Sequence, residues 1–314
     1  MEEFLGRARK ASAAARAADV PAPAPYQPSR SEETVIEGGW IPVDRQEMGQ
    51  RSMYYPEEWE FFIRPATVQA IKNWTAIDEE RPDVVNRVFN EIIKSCVKIL
   101  DGSGQNMGWG SLNSWDRFWF VVKVREYTFA RGENKIEFTD ECDQCGEEVT
   151  YTLDSKSMFY EFPDQEIADK YWDGEKWVID PTEYDIDMPP ITLYTPKIGK
   201  DQAIIDWATA RSYQGQKMDE VFIRFLPWML NKVPKDPQAL DRIIKKCQSE
   251  YKSWDVDMFE FMDDVVRNIT INQSERLRTI CPHCGGEATS NVQFPDGIKA
   301  LFKREGRAKK FGSR

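Results

Sequence analysis

The apolar residues in the first third of the chain recur at helical spacing. Between residues 82 and 100 they stand three or four positions apart, which predicts one long helix with a single buried face. A shorter helix is predicted over residues 65–74, because it begins with a proline, which suits a first helical turn. A third is predicted to begin at Trp115, where the preceding Ser114 can cap it.

The period of the apolar residues then shortens to two, as in half-buried strands. Residues 134–139 (NKIEFT) and 148–154 (EVTYTLD) frame the sequence CDQCG, and SERLRTI and EATSNVQF later frame CPHCG. The strand ITLYTP and an Asp-Gly hairpin turn in KYWDGEKWVI lie between them. Four more helices are predicted at 201–214, 217–231, 238–252 and 255–268. The pattern therefore predicts an α+β fold with a mostly helical body.

Two C-x-x-C-G sequences stand at the tips of the two predicted hairpins. Their cysteines are Cys142, Cys145, Cys281 and Cys284. Zinc prefers four soft or borderline ligands in a tetrahedron, and each C-x-x-C knuckle supplies two thiolates at a suitable separation. We therefore predict one structural zinc ion per chain, bound by all four sulfurs.

Other uses of these cysteines stay open at the level of sequence. They are a disulfide pair, a thioredoxin-like redox motif, and two half-sites joined between chains. His283, the chain's only histidine, is predicted to face solvent rather than bind the metal. Cys96 and Cys247 lie on predicted buried helix faces and are expected to be core thiols.

The two halves of the chain resemble each other. The pair Trp115–Asp116 begins 27 residues before Cys142, and Trp254–Asp255 begins 27 residues before Cys281. Upstream of each pair stands a helical segment ending in nearly the same letters, IIKSC and IIKKC. We interpret this as two pseudo-repeated helix–zinc-knuckle-hairpin units that share one zinc ribbon, against the alternative of chance similarity between short helical strings.

Five segments follow from these boundaries. They are a flexible N-terminal arm (1–33), a first helical unit with its knuckle (34–162), an acidic β/turn connector (163–198), a second helical unit with its knuckle (199–298), and a basic C-terminal tail (299–314).

The composition of the chain argues against several classes of function. The 314 residues carry a formal net charge of −11, and such an acidic body repels nucleic acid and anionic membrane. The longest apolar run, 118–122, is too short to cross a bilayer, and the first residues lack the apolar core of a signal peptide. Six cysteines without a secretion signal indicate a reducing compartment. With one histidine and no phosphate-binding glycine motif, we expect no enzyme and no small-molecule substrate.

The stretch from RPATVQAIKNW to CDQCG, residues 64–146, resembles the zinc-containing baseplate hub subunits of contractile-tailed bacteriophages of the T-even type. The stretch from RIIKKC to CPHCG repeats the pattern more weakly. The resemblance implies a structural protein of the virion tail baseplate, assembled in the host cytoplasm. Its partners would be hub, tube or wedge subunits.

Two other function classes stay open beside this resemblance. One is a nucleic-acid-binding zinc ribbon, although acidic residues surround the first knuckle. The other is a thiol redox or hydrolytic enzyme.

Overall fold

The fold is α+β, as predicted. The computed structural model describes residues 39–76, 82–129, 136–291 and 298–302. Within these residues the helices are α1 (Arg45–Met48), α2 (Val68–Thr75), α3 (Pro82–Cys96), α4 (Arg117–Thr128), α5 (Gln165–Tyr171), α6 (Ile198–Ser212), α7 (Glu220–Met229), α8 (Pro237–Tyr251) and α9 (Val256–Ile269). The predicted arm 1–33 and the last twelve residues of the predicted tail lie outside the described residues.

The strands form small antiparallel sheets. They are β1 (Ile41–Val43), β2 (Glu60–Ile63), β3 (Val97–Leu100), β4 (Ile136–Glu141), β5 (Glu148–Leu153), β6 (Met158–Glu161), β7 (Trp177–Ile179), β8 (Ile191–Leu193), β9 (Asn272–Ile280) and β10 (Glu287–Asn291). The orders are β1-β2-β3, β10-β9-β6, β4-β5 and β7-β8. Both predicted knuckle hairpins are therefore present, as β4-β5 and β9-β10.

The predicted helix over residues 82–100 is too long. Helix α3 ends at Cys96, and Val97–Leu100 form β3 instead. Val97 and Ile99 are buried, and every residue of β3 has a partner on β2. An alternating pattern of buried residues that extends over only four positions cannot be distinguished from a last helical turn. Pairing with a distant strand therefore decides that this segment is a strand.

Three other predicted boundaries shift. Helix α2 begins at Val68 rather than Pro65, because the Thr67 hydroxyl caps it by accepting the Ala70 amide at 3.2 Å. Residues Ser114–Asp116 form a turn of 3-10 helix, and α4 begins only after it. In the connector, the Asp-Gly turn joins the end of α5 to β7 rather than two strands of a regular hairpin.

The connector's aromatic residues belong to the main core. Trp172 pairs with Trp177 across the Asp-Gly turn, and the Tyr54 ring contacts both indoles, with centroids 5.3 and 5.9 Å away. Its charged residues stay mostly on the surface. The division of the chain at 162/163 and 198/199 stays a prediction about organisation.

The core is in two parts. The larger one holds the big buried aromatic side chains, among them Trp74, Trp119 and Trp177, and reaches Cys142 and Cys281. A smaller cluster lies among α6, α7 and α8 and consists of Ile204, Phe222, Leu226, Leu230, Leu240, Ile244 and Cys247. Cys96 in the larger part and Cys247 in the smaller are both buried, as predicted for core thiols.

The chain returns to the first helices near its end. Residues Ile298–Phe302 form a 3-10 helix in which Leu301 and Phe302 are buried. The Phe302 ring meets the Trp74 indole edge-on, 5.7 Å between centroids. The segment predicted as a basic tail thus begins with a core anchor. Among the described residues, no helix combines the length and the apolar character needed to cross a membrane.

Candidate metal centre

The first knuckle is a tight turn between β4 and β5. Glu141 and Glu148 are paired across the two strands, and the turn then closes through backbone bonds. The Cys142 amide donates to the Glu147 carbonyl and the Gly146 amide to the Cys142 carbonyl, each at 2.8 Å. Gly146 has a φ of 75°, a conformation that strains residues with a side chain, which explains the glycine after the second cysteine.

The second knuckle has the same hydrogen bonds. The Cys281 amide donates to the Gly286 carbonyl and the Gly285 amide to the Cys281 carbonyl, each at 2.9 Å, and Gly285 has a φ of 74°. The shared C-x-x-C-G letters therefore correspond to a shared backbone turn.

The two knuckles bring their four sulfurs into one cluster. The Cys142 and Cys284 sulfurs lie 3.9 Å apart, the Cys145 and Cys281 sulfurs 3.6 Å apart, and all four lie within 4.8 Å of one another. A zinc ion bound at about 2.3 Å by four thiolates sets sulfur–sulfur distances of about 3.8 Å. The cluster therefore has the size of a four-thiolate zinc site.

Backbone amides make the sulfurs better metal ligands. The Gln144 amide points at the Cys142 sulfur and the His283 amide at the Cys281 sulfur, each at 3.4 Å. The Cys284 and His283 amides lower the pKa of the Cys281 thiol to about 6. The pKa of Cys145 is raised instead: the Glu147 amide lowers it, but desolvation and the three neighbouring sulfurs outweigh this. Neighbouring sulfurs thus oppose the loss of a second proton, and a bound cation would remove that penalty.

The histidine contributes its backbone only. The His283 side chain is exposed, as predicted, and it is not a member of the four-ligand cluster.

Two hydrogen bonds join the hairpins beside the sulfurs. The Gln144 side-chain amide donates to the Glu287 carbonyl at 2.9 Å, and the Ser290 hydroxyl donates to the Asp140 carboxylate, which lowers the pKa of Asp140. Gly286 makes room for the first bond, since a Cβ there would lie 2.0 Å from the Gln144 side-chain oxygen. The hairpins are therefore fitted to each other as well as to a metal.

Comparison with known protein families covers the part of the chain that contains the first knuckle. The sequence model described as T4 bacteriophage base plate protein matches residues 53–212, just over half of the chain. This chain belongs to that family. No curated protein and no solved structure matches.

Membership gives the chain a structural role in a phage baseplate, in the tail of the virion, among other tail proteins. The predicted resemblance is thus confirmed at the level of the phage baseplate. The matched residues include Cys142 and Cys145, whereas Cys281 and Cys284 lie beyond them. The case for Cys281 and Cys284 as metal ligands in this baseplate-family chain therefore rests on their own geometry.

A second polar cluster, which the sequence did not reveal, lies in the core of this baseplate-family chain. Asp116 is fully buried and accepts a 2.6 Å hydrogen bond from the Tyr55 hydroxyl, while the Arg51 guanidinium lies 3.3 Å from its other oxygen. The Tyr55 hydroxyl in turn accepts the Asn113 amide at 2.8 Å, and Lys197 donates to the Asn113 side chain at 2.6 Å. We call these five residues the Asp116 cluster.

Burial shifts the pKa values of two residues of the Asp116 cluster. It raises the pKa of Asp116 to about 6, although Arg51 opposes the shift, and it lowers the pKa of Lys197 to about 8. The Arg51 guanidinium lies against the rings of Trp119 and Tyr160, 4.7 and 4.2 Å from their centroids. Such contacts stabilise a buried cation.

The two Trp-Asp pairs have different local roles. Asp255 caps α9, since its side chain accepts the Met258 amide at 2.9 Å, and it is exposed. Asp116 makes no capping bond and is part of the buried cluster instead. The knuckles match in their hydrogen bonds, but the duplication of the preceding helices stays a prediction.

Proposed function

We propose that this chain is a structural subunit at or near the hub of a phage tail baseplate, and that it acts through protein–protein contacts. The observation that carries the proposal is the family match over residues 53–212. The resemblance of residues 64–146 to hub subunits supports the finer position.

We propose that one structural zinc ion binds Cys142, Cys145, Cys281 and Cys284. The fit of the sulfur cluster to a tetrahedron and the amides aimed at two of its members support this metal. The ion would fasten hairpin β4-β5 to hairpin β9-β10. Four protein ligands leave no open coordination position, so the site would not activate water, in keeping with a protein that is not an enzyme.

The proposed partners are other tail proteins, among them hub, tube or wedge subunits. Exposed carboxylates surround the first knuckle, namely Glu141, Asp143, Glu147 and Glu148. They repel phosphates and favour a protein partner over nucleic acid. The basic residues after Phe302 could bind an acidic patch on a neighbouring subunit, because opposite charges steer association.

The position in the particle can be tested by imaging. Phage carrying a compact fluorescent or gold-binding tag at the chain's N-terminus should show the label at the baseplate in electron micrographs of intact tails. A label confined to the head, or a chain recovered from lysate but missing from purified particles, would contradict the proposal. Elemental analysis of the purified chain tests the metal separately, with one zinc expected per chain.

A further inference from the structure

Two pairs of sulfurs lie close together across the two knuckles. Cys145 lies 3.6 Å from Cys281, and Cys284 lies 3.9 Å from Cys142, measured between sulfurs. In each pair one cysteine is exposed and the other is buried: Cys145 and Cys284 face solvent, whereas Cys281 and Cys142 are 1% and 3% exposed.

We infer that oxidation replaces the zinc with two disulfides between the hairpins, Cys145–Cys281 and Cys142–Cys284. The two hairpins then stay fastened without a metal. This inference rests on the proposed zinc site, and it adds a second, covalent state of the same four residues.

The chemistry needs a two-electron oxidant such as hydrogen peroxide. With a cation holding the exposed Cys145 sulfur as a thiolate, that sulfur attacks a peroxide oxygen, the O–O bond breaks, and a sulfenic acid and hydroxide form. The Cys281 thiolate then attacks that sulfur, the S–O bond breaks, and a second hydroxide leaves as the disulfide forms. Cys284 and Cys142 consume a second peroxide in the same way. The disulfide sulfurs no longer carry the negative charge that would hold a divalent zinc ion, so they would release it.

The geometry places bridges between the knuckles within reach. An oxidised exposed sulfur has a buried sulfur of the other knuckle 3.6 or 3.9 Å away, and the pair must close to about 2 Å. The hydrogen bonds from Gln144 to Glu287 and from Ser290 to Asp140 hold the hairpins together while the metal departs. The folded chain has therefore already closed the long loop that such a bridge spans.

The two states suit two environments. Reducing cytoplasm keeps thiols free and favours the zinc form, whereas an oxidising exterior favours disulfides. A tail protein made in the first and released into the second would keep its hairpins joined throughout.

The test uses the full-length chain purified under reducing conditions. Zinc is first measured by elemental analysis; excess hydrogen peroxide is then added, remaining thiols are alkylated in denaturant, and the protein is digested with trypsin. Cleavage after lysine and arginine places one knuckle in peptide 136–156 and the other in peptide 279–299. We expect release of the bound zinc and one joined species of both peptides, lighter by four hydrogen atoms than the two reduced peptides together. Fragmentation of that species should assign the two pairs, and dithiothreitol should separate them.

Several outcomes would overturn the inference while leaving the zinc site intact. They are two separate peptides that each carry an internal disulfide, sulfinic or sulfonic acids in place of disulfides, and bridges between chains. A different assignment of the pairs within the joined species would overturn the pairing. The buried thiols Cys96 and Cys247 serve as internal controls and should be recovered alkylated. Purified chain without zinc would instead refute the metal centre, and the inference with it.

Discussion

The sulfur cluster and the Asp116 cluster both join segments far apart in sequence, but they do so differently. The sulfur cluster brings two surface hairpins together through atoms that we propose bind a zinc ion. The Asp116 cluster joins Arg51, Tyr55, Asn113 and Lys197 inside the core, where the protein supplies both signs of charge itself. The comparison teaches that the proposed metal site leaves a short sequence motif, whereas joining by buried ion pairs leaves none. Four experiments test this contrast.

The largest effect is expected at the metal centre. Cys142→Ser removes a ligand, and structural zinc contributes on the order of 10 kcal/mol or more to folding, so the variant should fail to hold zinc and should melt without a cooperative transition. Circular dichroism melting and elemental analysis measure both. The matched control is Cys96→Ala, a buried thiol outside the cluster, which should keep its zinc and lose a few kcal/mol at most, roughly as for cavity variants. Equal melting temperatures for Cys142→Ser and the unmodified chain would show that the metal does not fasten the fold.

The next largest effect on stability is expected to distinguish the aspartates of the two Trp-Asp pairs. Asp116→Ala leaves the Arg51 guanidinium buried without its carboxylate, a loss of about 3–5 kcal/mol in unfolding free energy. Asp255→Ala removes only a helix cap and should lose about 1 kcal/mol. Urea denaturation measures both variants, and both should retain zinc. Equal losses would mean that the Asp116 cluster adds no more to stability than a cap.

The third experiment measures how the stability of the fold depends on pH. It assigns the alkaline part of that dependence to Lys200 and the acidic part to the proposed metal centre. Lys200 donates to the Thr195 carbonyl at 3.0 Å, and burial lowers its pKa to about 7, against about 10.4 in an unfolded chain. The unfolded chain therefore binds more protons between these values, so the charged lysine destabilises the fold fully below pH 7 and progressively less toward pH 10. Lys200→Met should remove this rise, and its advantage in melting temperature should shrink from pH 7 to pH 9.

Lys245 provides the control for that experiment, since its side chain is 63% exposed. Lys245→Met removes a lysine from an exposed position and should give no gain in melting temperature over the unmodified chain. Acidification should instead act on the metal centre, where protons compete with zinc for the thiolates. A Lys200→Met advantage that is constant from pH 7 to pH 9 would contradict the assignment.

The smallest effect on stability is expected at the termini. Deleting residues 303–314, or separately residues 1–30, should leave zinc content and melting temperature unchanged, but each truncated chain should lose incorporation into the particle. Deletion from residue 298 is the matched control, because it also removes the buried Leu301 and Phe302 and should lower the melting temperature. Normal incorporation of both truncated chains would leave the folded surfaces as the contacts.

The sequence predicted those parts whose chemistry is local. Each C-x-x-C-G turn is fixed by its own backbone bonds and a glycine with positive φ, so spacing alone predicted both hairpins. The sequence pattern predicts a helix end where β3 lies, because the partner residues of β3 on β2 lie 34 to 40 residues earlier in the chain. No sequence motif marks Arg51, Tyr55 or Lys197. They come together around Asp116 only through tertiary packing. The room that Gly286 leaves for Gln144 depends on packing in the same way.

The large separation in sequence between the paired cysteines also affects when the two knuckles are synthesised. Cys145 is synthesised 136 residues before Cys281. At about 5–20 residues per second, the first knuckle is synthesised roughly 7 to 27 s before its partner. For that interval a half-formed site offers two thiols to any passing metal or oxidant, so the centre can be completed only after the second knuckle has been made. A host with slow translation would lengthen this exposed period, and the yield of correctly metallated chain should fall with it.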